Sequence, residues 1–291
     1  MMYYLYQFSK TAKYIGVVSL VSTLFSDLLI FKLLCLFGLF TFVEIALNFS
    51  VFKCSVLQTI GIFKVNKKFG NEVPAIFNYK SEIEYTLPFE GKWLVVNGCY
   101  TKEFSHSWDI PTQRYAYDFI ILDEEGKSYR NEFNQCESYY CYDKNILAPA
   151  DGIVVEISND AKDSLIFKNG KFFSKSPHIA GNYIVIKHSE KEYSTFAHLK
   201  KDSITVKVGD SISRGDIVAK CGNTGNSTEP HLHFQLQTGQ SFYNSAGLPI
   251  KFNNIKLTIA PNYERFDHRL SMPKEQILEG YISRGYNVSA N

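Results

Sequence analysis

The chain has little net charge. Its 31 basic and 29 acidic side chains over 291 residues leave +2 at neutral pH. No basic patch with interleaved aromatics stands out, so nothing points to nucleic-acid binding. No small-residue cleavage site follows a single short apolar core, which argues against a removed signal peptide. Cysteine is sparse, with 6 in all. Cys35 and Cys54 lie in or beside the apolar N-terminus, and Cys99, Cys136, Cys141 and Cys221 lie further on. Cys136 and Cys141 flank Glu-Ser-Tyr-Tyr; in an oxidising compartment they can pair, but spacing alone assigns no disulfide.

Apolar residues are abundant at the start. From Tyr14 to Phe52 only Asp27, Lys32 and Glu44 are charged. A spanning helix needs about 20 apolar residues. The run holds two short spans near 14–31 and 33–52, or one span and an interfacial helix. Lysines stand on both sides (Lys10 and Lys13 before, Lys53, Lys64, Lys67 and Lys68 after), so the positive-inside rule leaves orientation open. This gives a membrane segment at 1–53, a connector of mixed polarity at 54–84, a β domain at 85–255, and a tail at 256–291 with a short helix at 273–280.

The β domain reads as short strands between turn signals. Ala148-Pro-Ala-Asp-Gly-Ile-Val154, Gly181-Asn-Tyr-Ile-Val-Ile186 and Tyr193-Ser-Thr-Phe-Ala-His-Leu199 each combine a turn with β-branched or aromatic residues. Two Gly-Asp turns follow, at Gly209 and Gly215. The Gly222-Asn-Thr-Gly225 loop then delivers Pro230-His-Leu-His-Phe234. Side chains two apart on a strand share a face, so His231 and His233 project together, where they can hold a metal or move protons.

These pieces, with Tyr115-Ala-Tyr-Asp-Phe119, resemble the M23 family of zinc metallopeptidases, the lysostaphin and LytM type. The resemblance implies a mostly β fold: an antiparallel β-sheet LytM-like peptidase domain, here preceded by the N-terminal transmembrane segment. It implies hydrolysis of peptide bonds in bacterial cell-wall peptidoglycan, with the domain outside the cell membrane and facing the cell wall. Family members hold one zinc through a His-x-x-x-Asp pair and the second His of His-x-His. Asp118 and His233 match two of those ligands, and His198 and His231 match the family's catalytic histidines.

The chain departs from the pattern at one ligand. Arg114, not histidine, stands four residues before Asp118, and a guanidinium has no lone pair for a metal. Positions 114, 116 and 118 share a strand face, so an Arg114–Asp118 contact is expected in any folded form. Either His106 completes the metal site, or Arg114 replaces the cation. In the second case the domain is a catalytically degenerate module that binds and regulates a cell-wall hydrolase. A carrier module of lipoyl or biotinyl type shares the Gly-Asp turns, but the carrier-lysine hairpin is missing. Asn182 is a candidate groove residue, whereas His178, His188 and His268 read as structural or solvated.

Overall fold

The computed structural model describes residues 2–70 and 72–291. The chain separates into two compact units, residues 1–55 and residues 56–291.

The first unit is helical. α1 (Met2–Ser22) ends in a turn, and α2 (Leu29–Leu34) continues through a 3₁₀ stretch, Cys35–Leu39, into α3 (Phe40–Leu47). The span Leu29–Leu47, of mean hydropathy 2.2, is long and apolar enough to cross a membrane, and none of it is buried. The expected span at 14–31 is interrupted instead, because Thr23–Leu28 leave the helix. Within this unit Lys13 and Glu44 form an ion pair of 2.5 Å. Pairing offsets part of the cost of placing two charges among apolar helices. The helix α4 (Phe49–Phe69) follows, so the first half of the expected connector is helical.

The second unit is built on fourteen strands among the described residues. They are β1 (Trp93–Asn97), β2 (Tyr117–Ile120), β3 (Asn145–Leu147), β4 (Gly152–Ser158), β5 (Leu165–Phe167), β6 (Lys171–Phe173), β7 (Asn182–Lys187), β8 (Tyr193–Leu199), β9 (Ser211–Ile212), β10 (Ile217–Lys220), β11 (Leu232–Gln237), β12 (Gly247–Leu248), β13 (Ile255–Ile259) and β14 (Tyr286–Ala290). The main sheet has the order β13-β14-β1-β2-β11-β8-β7-β4-β9, with β12 on β11. Every named ladder is antiparallel.

The tail departs from expectation. It supplies β13 and β14 to the sheet, with a short helix α5 (Tyr263–Phe266) between them. The helix expected at 273–280 is a 3₁₀ turn, Lys274–Gln276. Pro273 and Gly280 bound too few residues for a longer helix to offset its nucleation cost.

Strand alternation divides the chemistry from the core. On β11, Leu232, Phe234 and Leu236 enter the main core with Ile184, Ile186, Phe196 and Phe119. Burying each such side chain contributes about 1.5–3 kcal/mol. The intervening His233, Gln235 and Gln237 therefore point to the opposite face. The segment before β1 is tied down by a buried carboxylate. Glu192 accepts hydrogen bonds from the hydroxyls of Tyr79, Ser81 and Tyr85 and from the Glu82 backbone N–H.

Candidate metal centre

Register places Asp118 of β2 directly opposite His233 of β11, and His233 opposite Ala197 of β8. Directly paired residues share a face with Cβ atoms about 5 Å apart. Asp118 and His233 thus meet, and His198, next to Ala197, arrives from the adjacent strand. One cavity of about 170 Å³ is lined by His106, Asp118, His198, His231 and His233, with Gln113, Asn226 and Phe242 on its walls.

The donor atoms of His106, Asp118 and His233 lie within 4.8 Å of one another. His106 Nε2 is 3.1 Å from Asp118 Oδ2, and His233 Nδ1 is 2.9 Å from Asp118 Oδ1. His231 Nε2 is 3.7 Å from the same Oδ1. Burial raises the Asp118 pKa, but the facing His106, His233 and His231 outweigh it and hold the carboxyl well below its ordinary range.

Arg114 lies elsewhere. Its Nε–H donates to the Trp108 carbonyl at 2.9 Å, and its guanidinium stacks 4.6 Å from the Trp108 ring centroid. The expected Arg114–Asp118 contact is absent among the described residues, because β2 begins at Tyr117 and residues 111–115 form turns. Strand alternation does not reach back to Arg114. The same turns fold the 101–110 loop so that His106 reaches Asp118.

The polar groups behind the imidazoles set their tautomers. Carbonyl oxygens only accept, so a ring nitrogen facing one carries the hydrogen. His198 Nδ1 faces the Thr224 carbonyl at 2.7 Å, and His231 Nδ1 faces the Glu229 carbonyl at 2.8 Å. In their neutral forms both rings keep a bare Nε2 lone pair. His233 is fixed through a relay. Gln237 Nε2 donates to the carbonyls of Gly239 and Gln240 at 2.7 and 3.1 Å, so its Oε1 accepts from Gln235 Nε2 at 2.6 Å. Gln235 Oε1 therefore accepts from His233 Nε2–H at 3.0 Å. The Nδ1 lone pair of neutral His233 is then aimed at the Asp118 carboxylate. Two lone pairs at 2.9 Å repel unless a cation or a proton lies between them. Two imidazole nitrogens and one carboxylate facing inward suit zinc, which takes nitrogen and oxygen donors in a compact tetrahedral set.

His198 has a left-handed backbone, φ 61°. Such strain costs of order 1 kcal/mol or more and gathers at functional sites. It is held by the His198 N–H on the Ala180 carbonyl at 2.8 Å and by the Thr224 contact. The Thr224 loop reaches this position through a close crossing at Gly181 and Gly225, both of positive φ, where a Cβ on Gly225 would come within 2.3 Å of the Gly181 nitrogen. Burial, followed by the charges of His231 and His233, lowers the His198 pKa well below 6.5.

Other sequence expectations resolve differently. Asn182 does not line the cavity: it is fully buried, pairing with Ala161 N–H and with the Ala161 and Leu199 carbonyls. His178 packs among Tyr183, Phe242 and Tyr243, and His188 bonds the Asp151 carbonyl and Ser194. Cys136 and Cys141 are free thiols, and Cys141 Sγ donates to the Pro230 carbonyl at 3.0 Å. The sequence reading missed Gln235 and Gln237, although their even spacing from His233 already places them on its face.

Residues 139–245 match the model of peptidase family M23. The matched stretch includes His198, His231 and His233, while His106 and Asp118 precede it. The chain is 47% identical over 111 residues to the peptidoglycan DD-endopeptidase ShyA of Vibrio cholerae, covering 38% of this chain and 24% of that protein. It is 38% identical over 73 residues to lysostaphin of Staphylococcus simulans, covering 25% of this chain and 14% of that one. A crystal structure of the lysostaphin catalytic domain aligns with 20% identity over 54% of this chain and 88% of its own, at a TM-score of 0.32. The chain spans about a quarter or less of these two curated relatives. Through residues 139–245, the chain is similar to peptidase family M23.

Proposed function

We propose that the β domain is a zinc endopeptidase that hydrolyses peptide bonds of bacterial cell-wall peptidoglycan. It is held at the cell membrane by the N-terminal helices and faces the cell wall. The observation that carries this reading is the convergence of His106, Asp118 and His233 in one cavity with two further imidazoles, His198 and His231. The peptidoglycan substrate comes from the relatives named as peptidoglycan DD-endopeptidases. The apolar span Leu29–Leu47 supports the anchor.

His106, Asp118 and His233 are the residues that would hold the zinc. When bound, zinc supplies Lewis acidity, polarising a carbonyl oxygen and acidifying a water. The rest falls to the chain. His198 is buried and neutral with its Nδ1–H committed to Thr224, so its Nε2 is a proton acceptor. It takes the proton of the attacking water. His231 has its Nδ1–H committed to Glu229, and its Nε2, once protonated, donates to the oxyanion that develops on the scissile carbonyl. Asp118 supplies negative charge to the site, 3.7 Å from His231 Nε2. Arg114, stacked on Trp108, leaves the inward face to the histidines.

The test uses the full chain in detergent, loaded with zinc and mixed with purified peptidoglycan. Release of new peptide amino termini, abolished by chelation and restored by zinc, is the expected result. A chain that binds one zinc and cleaves no cell-wall peptide would sink the enzyme reading.

A further inference from the structure

β1 carries one extra residue beside Asp118. Leu94 pairs with Ile120 and Val95 with Phe119, but the residue opposite Asp118 is Asn97 rather than Val96. Such a bulge re-aims a side chain, and bulges gather next to active sites. Here it sets the Asn97 amide against Asp118, whose partner on the other side of β2 is His233. Asn97 Nδ2 lies 3.3 Å from Asp118 Oδ2. One side chain from the tail takes the oxygens that the bulge presents. Arg269 donates through Nη2 to the Val96 carbonyl and through Nη1 to Asn97 Oδ1, both at 3.0 Å. Its Nε–H donates to Asp267 Oδ2 at 2.8 Å. The chain just after Arg269 is itself held: the Leu270 carbonyl accepts from Arg284 Nε at 2.9 Å, and Met272 is buried against Tyr100 and Phe104, ahead of His106. All of these residues lie outside the stretch 139–245 that matches the family.

A guanidinium only donates, so the atom of Asn97 that faces Arg269 is its oxygen, and its NH2 faces Asp118. That orientation matters for the carboxylate. Among the described residues, the other side chains that meet Asp118 are His106, His231 and His233. An imidazole nitrogen that gives its lone pair to a metal has no hydrogen to donate, so the two ligating histidines cannot also hold the carboxylate. The Asn97 amide, which is no ligand, can hold it with the metal bound. We propose that Asn97 and Arg269 are positioning residues of the metal centre: the amide fixes the rotation of the Asp118 carboxylate, and the Arg269 fork fixes the amide. The inference rests on the zinc reading above and makes the tail part of the site. An ion pair of Arg269 with Asp267 alone, at a side chain 47% exposed, would contribute little to stability and nothing to metal binding.

The experiment reads zinc affinity of the full chain in detergent by competition with a chelator, and ligand geometry by visible absorption of the cobalt-loaded chain. Asn97→Leu should weaken zinc binding about 10- to 100-fold and shift the cobalt bands. Arg269→Ala should move both readouts in the same direction. The double variant should bind no more weakly than Asn97→Leu, because Arg269 acts through Asn97 and the two losses do not add. Unchanged metal readouts in Asn97→Leu, or losses that add in the double variant, would overturn the proposal. So would an Arg269→Ala chain that is less stable without zinc yet binds it as the wild type does. If the wild type takes up no zinc, the metal reading falls and the positioning contact is decided in the zinc-free full chain, labelled with ¹⁵N-asparagine. The side-chain NH2 resonance of Asn97, identified by its loss in Asn97→Leu, should shift in Asp118→Asn and in Arg269→Ala. A resonance insensitive to either substitution overturns the contact.

Discussion

Asp118 and His233 are opposed partners on neighbouring strands, their side chains meet at 2.9 Å, and the far nitrogen of His233 is committed to Gln235. This one relationship links the sheet register to the chemistry. Register brings the donors together, and the glutamine relay decides which lone pair faces inward.

Gln235→Leu should weaken zinc binding about 10- to 100-fold, the usual effect of removing the group behind a ligating histidine. Competition with a zinc chelator measures it. Gln235→Glu, which still accepts from His233 Nε2–H, should retain more affinity than the leucine variant. Equal affinities for wild type and leucine variant would exclude the relay from zinc binding.

His106 and Arg114 should separate cleanly. The wild type should copurify with about one zinc per chain, and His106→Ala should lose it, because two protein ligands would hold it poorly. Arg114→Ala should keep it, since Arg114 engages Trp108 rather than Asp118. Metal analysis of the two purified variants checks both, and the reverse pattern would point to Arg114.

His198→Ala and His231→Ala should each retain zinc and lose about 10²- to 10⁴-fold in hydrolysis. Full activity in both would remove them from the proton steps.

Zinc-free protein should lose stability as the pH falls below about 6.5. His198 is buried and His188 partly buried, both with folded pKa values lowered from 6.5. Between those folded values and 6.5 the unfolded chain binds protons that the folded chain cannot, so unfolding is favoured as pH falls through that window. Asp118 adds a second loss at lower pH, as the solution passes below 3.8 towards its depressed folded pKa. Denaturant titrations followed through the buried Trp93 should show a shallower pH slope in His198→Gln. An unchanged slope would assign the effect elsewhere.

Glu192→Ala should cost about 3 kcal/mol. It leaves the donors of Tyr79, Ser81, Tyr85 and Glu82 without their shared acceptor in a region where Glu192 is 2% exposed. Chemical denaturation of the full chain measures it. A change below about 0.5 kcal/mol would show that water replaces the carboxylate.

The sequence by itself determined the strand faces. Alternation on Leu232, Phe234 and Leu236 against His231 and His233 is a local property, because a strand repeats every two residues whatever surrounds it. The turns at Gly152, Gly209 and Gly215 and the long apolar N-terminus are local in the same sense. Tertiary structure decided what depends on distant residues meeting. His106 reaches Asp118 only through the fold of an irregular loop, and Arg114 turns to Trp108 because β2 starts at Tyr117. No periodicity runs through such turns, so a spacing of four residues could not fix a contact there. The tail strands β13 and β14 joined the sheet for the same reason: pairing partners nearly two hundred residues apart in sequence, as Trp93 and Val288 are, leave no mark on local composition.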